Sequence, residues 1–343
     1  MFVLIRTLCS VRAAKWELEA YAADLELTEP FTIARRSWDV ATSVFVRVSH
    51  SGYTGIGECS PEGPPEEVVD QLERLDLDVL DGPFDLEGLS TLLDAGPARA
   101  ALDIALHDLA AQSAGVSVLE LLGLSGRPLP QTSVTLAITE PSRTVKKAMD
   151  LSDHPILKVK VGFDGDVAMI EAVRAVYSGR IRVDANEGWS EAEATDRLKA
   201  LERFDIELCE QPIPSGDYAA LSRVTRATSI PVYADEDVRT AADVAALAGS
   251  VDGVNLKLRK TGGIREAVRA AAVARAHSLG VMLGCDLTSG VAATAEASVA
   301  PLADFADIDG PLLLRYDPWP GVGYDKGMLL LPPGPGLGVT RRA

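Results

Sequence analysis

Three acidic residues stand where three successive β-type runs of the sequence end. They are Asp184, Glu210 and Asp235, and one occurs in each repeat of about 25 residues. Because the carboxyl ends of the strands of a parallel barrel meet at one mouth, we expect the three carboxylates to converge on one arc of it. Carboxylate oxygens suit Mg²⁺ far better than a softer metal. The spacing therefore predicts a Mg²⁺ site, whereas any one of these acids alone would be typical of a helix cap.

Two lysines occupy the corresponding positions on either side of this arc. Lys160 ends the second β-type run, and Lys257 ends the sixth. Strands two and six are opposite each other on a ring of eight, so the two amines are expected to reach opposite faces of one bound carbon. Mg²⁺ that chelates a substrate carboxylate stabilises the enediolate formed when the α-proton leaves, and neighbouring cations are expected to lower the lysine pKa from about 10.4 toward neutrality. The pattern predicts 1,1-proton transfer, which is racemisation or epimerisation.

A barrel is needed to bring these residues together, and the chain from Thr132 onward carries the repeat that builds one. Amphipathic helical stretches such as Val167–Tyr177 and Glu191–Phe204 alternate with β-type runs, and Ser190 and Glu193 have capping-box spacing. Eight runs predict an eight-stranded parallel barrel. The competing interpretation is a doubly wound open sheet, which normally has fewer strands and a G-x-G-x-x-G turn after the first, absent here. The runs are Thr132–Ile138, Ile156–Val161, Ile181–Asp184, Ile206–Glu210, Pro231–Ala234, Gly253–Lys257, Val281–Gly284 and Phe305–Ile308.

The sequence divides into three parts. Residues 1–125 are predicted to form an α+β domain and residues 126–318 the barrel. The Gly- and Pro-rich tail, residues 319–343, is expected to return over the first domain. The apolar segment Met1–Ser10 is interpreted as a start-site extension or a first strand, because no signal-like cleavage region follows it.

Within the first part, both strand and helix patterns occur. Alternation of apolar and polar residues predicts strands at Trp16–Tyr21 and Val44–Val48, and helical spacing predicts a helix at Ala98–Gln112. Gly52, Gly55 and Gly57 are expected to mark turns.

The composition limits the class of protein. The chain has 343 residues, of which 47% are hydrophobic and 24% charged, as in a globular protein with a sizeable core. Its formal net charge is −17, so neither nucleic acid nor a membrane is an expected partner. The four cysteines are far apart and show no C-x-x-C spacing, which makes a disulfide framework or a zinc knuckle unexpected. A cytoplasmic enzyme acting on a small molecule is the predicted class.

The strand-end motifs, taken together, resemble a known superfamily. They are Lys158-Val159-Lys160, Val183-Asp184-Ala185-Asn186, Glu210-Gln211-Pro212, Ala234-Asp235-Glu236 and Lys257-Leu258-Arg259-Lys260-Thr261-Gly262-Gly263. They look like the signature of the enolase superfamily, and the two lysines are similar to its muconate-lactonizing subgroup. The resemblance implies a (β/α)7β-type TIM barrel with an N-terminal α+β capping domain that shapes specificity. It also implies Mg²⁺ as the cofactor, Lys160 and Lys257 as the bases, and Lys158 as an electrostatic helper at the substrate carboxylate.

Within that subgroup the chain most resembles dipeptide epimerases of the L-Ala-D/L-Glu type. The motifs that carry this likeness are Pro30-Phe31-Thr32-Ile33-Ala34-Arg35, Ser133-Val134-Thr135 and Asp307-Ile308-Asp309-Gly310-Pro311. The likeness implies that Asp307 and Asp309, which alternate onto one face of the last strand, clamp the free α-ammonium group of a dipeptide. Thr135 is a further substrate-binding candidate, and Arg35 and Arg36 are both candidates for holding a side-chain carboxylate. Without the likeness, the segment that starts at Asp309 is equally typical of a turn.

Departures from that pattern leave the substrate open. Asp286 and Thr288 replace the usual Met and Glu after the seventh strand, and Asp237 replaces a serine after the fifth. An acidic Asp286 beside the pocket is expected to favour a cationic or more polar substrate. The alternatives in the same subgroup are an N-succinylamino-acid racemase, an o-succinylbenzoate synthase and a muconate-type cycloisomerase. An alternative from another class is a catalytically silent barrel that binds a ligand, and the resemblance also allows a homo-oligomer.

Overall fold

In the computed structural model, which describes residues 15–342, the amino-terminal part contains a three-stranded antiparallel sheet. Its strands are β1 (Glu17–Ile33), β2 (Arg36–His50) and β3 (Tyr53–Cys59). A two-residue turn joins β1 to β2 and puts Arg35 at the tip of this hairpin. The predicted strands at 16–21 and 44–48 are present within longer strands. The interpretation of Met1–Ser10 lies outside the described residues.

Helices cover one face of this sheet. The helices α1 (Pro65–Glu73) and α3 (Pro97–Ala114) contact its strands, and α2 (Leu89–Leu92) and α4 (Val118–Leu121) lie against α3. The backbone of α3 lies directly on β3, because a Cβ atom on Gly57 would stand 1.9 Å from the carbonyl oxygen of Ala101, and one on Gly55 would stand 2.0 Å from that of Ala105. Gly52 lies in the turn between β2 and β3, as predicted, but the prediction that Gly55 and Gly57 mark turns is wrong. They lie inside β3, where a side chain would prevent the helix from packing.

The second part of the chain forms an eight-stranded parallel sheet that curls into a barrel. The strands are β4 (Val134–Leu136), β5 (Ile156–Lys160), β6 (Arg180–Asp184), β7 (Ile206–Glu210), β8 (Val232–Ala234), β9 (Gly253–Leu256), β10 (Gly280–Gly284) and β11 (Phe305–Asp307). Neighbours in the sheet are neighbours in sequence, and a parallel bridge between Thr132 and Ala306 joins the two ends. Each predicted β run coincides with one strand to within a few residues at either end. The predicted barrel is confirmed, and the doubly wound open sheet is excluded.

Helices follow every barrel strand from β4 to β10 on the outer surface. They are α5 (Pro141–Asp150), α6 (Asp166–Val176), α7 (Glu191–Leu201), α8 (Tyr218–Arg226), α9 (Ala241–Ala246), α10 (Leu258–Thr261), α11 (Ile264–Ala276) and α12 (Gly290–Val299). A short 3₁₀ turn at Gly310–Leu313 follows β11, which gives the expected (β/α)7β order. The predicted capping box is formed, since the Ser190 hydroxyl accepts the N–H of Glu193 and the Glu193 carboxylate accepts the N–H of Ser190 at 2.9 Å.

The lower part of the barrel is filled by its own side chains. Leu208, Tyr233 and Met282 form a buried cluster, against which Phe305 packs. The buried Arg182 guanidinium stacks 4.9 Å from the ring centroid of Phe305. Because this layer is packed, the space for a ligand lies at the carboxyl ends of the strands.

Carboxylates of the amino-terminal domain cap two helices of the barrel. Asp103 on α3 accepts the N–H of Ile264, the first residue of α11, at 2.6 Å. Glu58 on β3 accepts the N–H groups of Ser289 and Ala292, at the start of α12, at 2.8 and 3.0 Å. Unpaired N–H groups make a helix start positive, so these bonds tie the amino-terminal domain to the barrel.

The carboxy-terminal segment contacts both domains. It contains a short hairpin of β12 (Gly323–Asp325) and β13 (Met328–Leu330). The carbonyl of Gly327 accepts the N–H of Thr132 at 2.8 Å, and the N–H of Leu337 donates to Asp108 on α3 at 2.7 Å. The domain limits near residues 125 and 318 stay a prediction. Among residues 15–342, no helix combines the length and the apolar character needed to cross a membrane.

Candidate active site

The carboxyl ends of the barrel strands open into a cavity of about 840 Å³, which the β1–β2 hairpin and residues 60–63 of the amino-terminal domain also line. A cavity of this size suits a small-molecule ligand. Asp184 and Glu210 are completely buried. The other predicted site residues all line the cavity, namely Arg35, Arg36, Thr135, Lys158, Lys160, Asp235, Lys257, Asp307 and Asp309.

The three predicted metal carboxylates lie on three adjacent strands. Asp184 ends β6 and pairs in register with Glu210, which ends β7, while Asp235 directly follows β8. All three are buried, with at most 2% of the residue surface exposed. Strand order and register therefore produce the arc of acids that the repeat spacing predicts.

The ammonium group of Lys158 lies at the centre of this acidic arc. Its Nζ is 3.0 Å from Asp184, 2.7 Å from Glu210 and 2.7 Å from Asp307. Lys160, two residues further along β5 and on the same face, lies 2.6 Å from Asp184. Buried charges of opposite sign compensate each other here, because neither sign is stable alone in a dry interior.

Glu210 is the carboxylate whose charge these lysines compensate least. Burial and the nearby Asp184 carboxylate raise the pKa of Glu210 to about 8. Its Oε2 atom is buried and accepts no hydrogen bond, because the Lys158 ammonium group is close but not aligned with it. Asp184 differs, since Lys158 and Lys160 outweigh its burial and hold the pKa of this carboxyl below the usual range.

These acids fit a divalent cation in chemistry. They are hard oxygen donors, and the buried Oε2 atom of Glu210 accepts no hydrogen bond. Within residues 15–342, no three His, Cys, Asp or Glu side chains stand together at coordination distance, and the lysine ammonium groups lie between these carboxylates. Residues that would hold Mg²⁺ are Asp184, Glu210 and Asp235.

Lys257 lies across the mouth from Lys160 and pairs with Asp235 at 2.8 Å. Burial lowers the pKa of Lys257, but the carboxylates of Asp235, Glu210 and Asp286 outweigh this effect and hold the pKa well above its usual range. In this structure these carboxylates, rather than the neighbouring cations of the expectation, set the direction of the shift. Its nearest charged neighbour is an acid rather than another lysine.

Two family models together cover most of the chain. The model described as "Mandelate racemase / muconate lactonizing enzyme, N-terminal domain" matches residues 17–123, and the one described as "Enolase C-terminal domain-like" matches residues 142–342. The chain belongs to the enolase superfamily. The first of these ranges corresponds to the α+β domain and the second to most of the barrel with its tail.

The names of similar proteins indicate the type of enzyme. The chain is 36% identical to an L-Ala-D/L-Glu epimerase of Bacteroides thetaiotaomicron, over 95% of this chain and 88% of that protein. It is 35% identical to a hydrophobic dipeptide epimerase of Roseobacter litoralis, over 94% and 98% of the two chains. A dipeptide epimerase of Enterococcus faecalis, solved with Mg and L-Leu-L-Tyr, superposes with a TM-score of 0.89 at 30% identity, over 96% and 100% of the chains. The prediction of an isomerase of the racemase and epimerase type is confirmed.

In this enolase-superfamily barrel, Asp307 and Asp309 both line the cavity, but only Asp307 belongs to the last strand, since Asp309 lies beyond it and directly precedes the 3₁₀ turn at Gly310–Leu313. Asp307 accepts hydrogen bonds from Lys158 at 2.7 Å and from the Ser133 hydroxyl at 2.6 Å. Asp309 accepts the backbone N–H of Thr135 at 2.6 Å. Burial and the adjacent Asp307 carboxylate raise the pKa of Asp309 to about 6. The pair therefore has negative charge available for a further cation.

The two arginines of the β1–β2 hairpin have different surroundings. Arg35 pairs with Glu187, after β6, and with Glu236, after β8, the latter at 2.8 Å. Arg36 stacks on the ring of Trp38, with its guanidinium carbon 4.5 Å from the ring centroid. Among the described residues Arg36 forms no ion pair. The two arginines thus differ in their surroundings: Arg35 ties the hairpin to the barrel, whereas Arg36 has no acidic partner among residues 15–342.

Asp286 does not stand free beside the pocket. Arg259 donates two hydrogen bonds to its carboxylate, from Nε at 2.9 Å and from Nη2 at 3.1 Å. The negative charge of Asp286, on which the expectation of a cationic substrate depends, therefore already has an internal counterion.

Sequence reasoning missed three polar residues that support the acids. Asn255 on β9 donates to Glu210 at 2.7 Å, and Gln211 accepts the N–H of Asp235 at 2.8 Å. Lys260 contacts the carboxylate of Asp235. A usable signal exists for Asn255, which is a polar residue in an apolar strand, two positions before Lys257 and therefore on the same face.

Proposed function

We propose that this protein is a Mg²⁺-dependent dipeptide epimerase that inverts the α-carbon of the C-terminal residue of a dipeptide. The observation that carries the proposal is the arrangement of Lys160 and Lys257 in one cavity, on strands that are four apart in a ring of eight, with the three carboxylates between them. Relatives that match at least 94% of the chain bear dipeptide epimerase names, and solved structures of such epimerases hold Mg and a dipeptide.

The two lysines act as the bases of a 1,1-proton transfer. One amine, in its neutral form, removes the α-proton from one face of the substrate carbon, and the opposite ammonium delivers a proton to the other face. Asp184, Glu210 and Asp235 would hold Mg²⁺, which when bound would supply positive charge at the substrate carboxylate. Lys158, which is buried among the same acids, adds a fixed positive charge there.

Asp307 and Asp309 bind the substrate's free α-ammonium group. Both line the cavity, and Asp309 has no lysine partner among the described residues. Thr135 orients Asp309 through its backbone N–H. An ammonium clamp favours a free dipeptide over the N-acylated or dianionic substrates of the N-succinylamino-acid racemases, o-succinylbenzoate synthases and cycloisomerases.

Arg36 is the arginine that receives a carboxylate on the substrate's C-terminal side chain. It lines the cavity, is held in place by Trp38 and has no acidic partner among residues 15–342. Phe31 packs beside Trp38, with ring centroids 6.4 Å apart, so the same wall also offers apolar surface to an uncharged side chain.

The function is tested by incubating the protein with Mg²⁺ and a library of LL-dipeptides in D₂O. We expect a gain of one mass unit for the accepted dipeptides, located at the C-terminal α-carbon, together with the appearance of the LD epimer. Acidic C-terminal residues test the role of Arg36. An N-succinylamino acid in the same assay is the control. If the N-succinylamino acid exchanges its α-proton and no dipeptide does, the proposal is contradicted and the racemase alternative is assigned.

Asp307→Asn and Asp309→Asn should raise KM for a free dipeptide about ten- to a hundred-fold. Each charge-assisted bond to a partly buried ammonium contributes roughly 1.5–3 kcal/mol, and this binding is lost. For an N-acetylated dipeptide the substitutions should cost little, because that substrate has no cation. The measurement is kcat/KM for both substrates with the wild type and each variant. Preference of the wild type for the N-acylated form, with both variants indifferent, would contradict the ammonium clamp.

A further inference from the structure

Arg259 lines the cavity and has no part in the proposed proton transfer. We infer that its guanidinium occupies Asp286 as an internal counterion and thereby excludes substrates whose first residue is Lys or Arg. This inference rests on the proposed function, since it concerns the subsite for the N-terminal residue of a dipeptide.

The position of Asp286 next to the proposed ammonium clamp carries the first step. Strand β10 pairs with β11, with Gly284 opposite Asp307. Cys285, which follows β10, has its sulfur 3.6 Å from Asp309, and Asp286 comes next and lines the same cavity. The carbon that bears the α-ammonium also bears the side chain of the first residue. A side chain that leaves this carbon toward β10 therefore meets Asp286.

The contacts of Arg259 carry the second step. It follows β9, the strand beside β10, and donates to both oxygens of Asp286. Its remaining nitrogen, Nη1, donates to Glu62 of the amino-terminal domain at 2.8 Å. Arg259 and Asp286 each expose only 19% of the side chain, so the pair is held firmly in the cavity wall. A bidentate pair of this kind has defined geometry and consumes the full acceptor capacity on that side of the carboxylate.

The consequence for specificity follows from charge. A carboxylate beside the first-residue subsite would bind a Lys or Arg side chain, but here a cation of the protein already fills that role. A cationic substrate would have to displace Arg259 and break its bonds to Asp286 and Glu62, or stand next to a like charge. A dipeptide with a neutral first residue would contact the Arg259–Asp286 ion pair, which has no net charge.

Removal of the guanidinium should therefore create a preference that the wild type lacks. In Arg259→Met, the ratio of kcat/KM for an L-Lys dipeptide to that for the matching L-Ala dipeptide should rise at least ~10-fold, because Asp286 becomes available to the substrate. If the substitution also disturbs Lys257, the rates with both substrates change equally, and this effect cancels in the ratio. In Arg259→Met/Asp286→Asn the gain should vanish, and in Arg259→Lys the ratio should stay near that of the wild type.

The controls separate the inference from its alternatives. An equal rise of the kcat/KM ratio in the double variant means that the gain comes from added space, which overturns the counterion role. An unchanged ratio in a folded Arg259→Met variant overturns it as well. Arg259→Gln, which keeps a donor without the charge, replaces Arg259→Met if that variant fails to fold. Wild-type preference for L-Lys dipeptides also overturns the inference, while the epimerase proposal stands. Absence of exchange with every dipeptide overturns both.

Discussion

Glu210→Gln should lower kcat at least ~10³-fold, and Asp184→Asn and Asp235→Asn should do the same, because the charge of the enediolate loses its stabiliser. Chelation of the wild type should abolish activity, and added Mg²⁺ should restore it. Glu210 is the most informative of the three, since its buried Oε2 has no hydrogen-bond partner and burial raises the pKa of this carboxyl to about 8. The measurements are kcat and, independently of activity, Mg²⁺ binding by titration calorimetry.

Glu207→Gln is a matched control for this prediction. Glu207 belongs to the same strand as Glu210 but pairs with Arg182 and Arg180 in the lower part of the barrel and near its outer edge. Its replacement should leave Mg²⁺ affinity and kcat within a few-fold of the wild type. A chelated wild type that keeps full activity would remove the basis for the whole site assignment.

Lys160→Ala and Lys257→Ala should each abolish epimerisation, with kcat reduced beyond detection, because inversion needs a base on one face and an acid on the other. Each variant should still exchange the α-proton of one epimer with D₂O through the lysine that remains. The exchanged epimer should differ between the two variants. The measurement is deuterium incorporation into purified LL and LD dipeptides, followed by mass spectrometry.

The exposed Lys199 on α7 provides the control, since Lys199→Ala should retain both epimerisation and exchange. Exchange of the same epimer in both active-site variants contradicts the opposed arrangement of the two bases. If both variants lose exchange completely, the result indicates instead that the arrangement of the acidic residues is disrupted. Each lysine is paired with one of its carboxylates, Lys160 with Asp184 and Lys257 with Asp235.

Local sequence pattern was sufficient to predict the barrel and the acids and lysines at its mouth. Each strand and its following helix return the chain to the same end of the barrel. The position of Asp184 at the end of one strand is therefore equivalent to that of Glu210 at the end of the next. The helix starts are local as well, as the bonds between Ser190 and Glu193 illustrate. Features set by neighbours along the chain are therefore readable from it.

Contacts between distant segments were not readable in this way. Gly55 and Gly57 have the composition of a turn, but they lie in a strand because α3, some forty residues later, packs on it. The pKa of Lys257 is raised rather than lowered, because the carboxylates of Asp235, Glu210 and Asp286 outweigh the effects of burial and of Lys158. The direction of such a shift depends on distances that sequence spacing does not supply.

Residue types and their period thus determined the fold and the chemistry available at the barrel mouth, while tertiary structure decided which charges are free to act. Arg35 and Arg36 are adjacent in sequence, yet one is paired with acids of two barrel loops and the other is stacked on Trp38. From the sequence, Asp286 is expected to be an unpaired acid, but in the structure Arg259 donates hydrogen bonds to both of its carboxylate oxygens. The physical reason is that a charge is neutralised by whatever lies within a few ångströms, and the packing of separate strands and loops sets those distances.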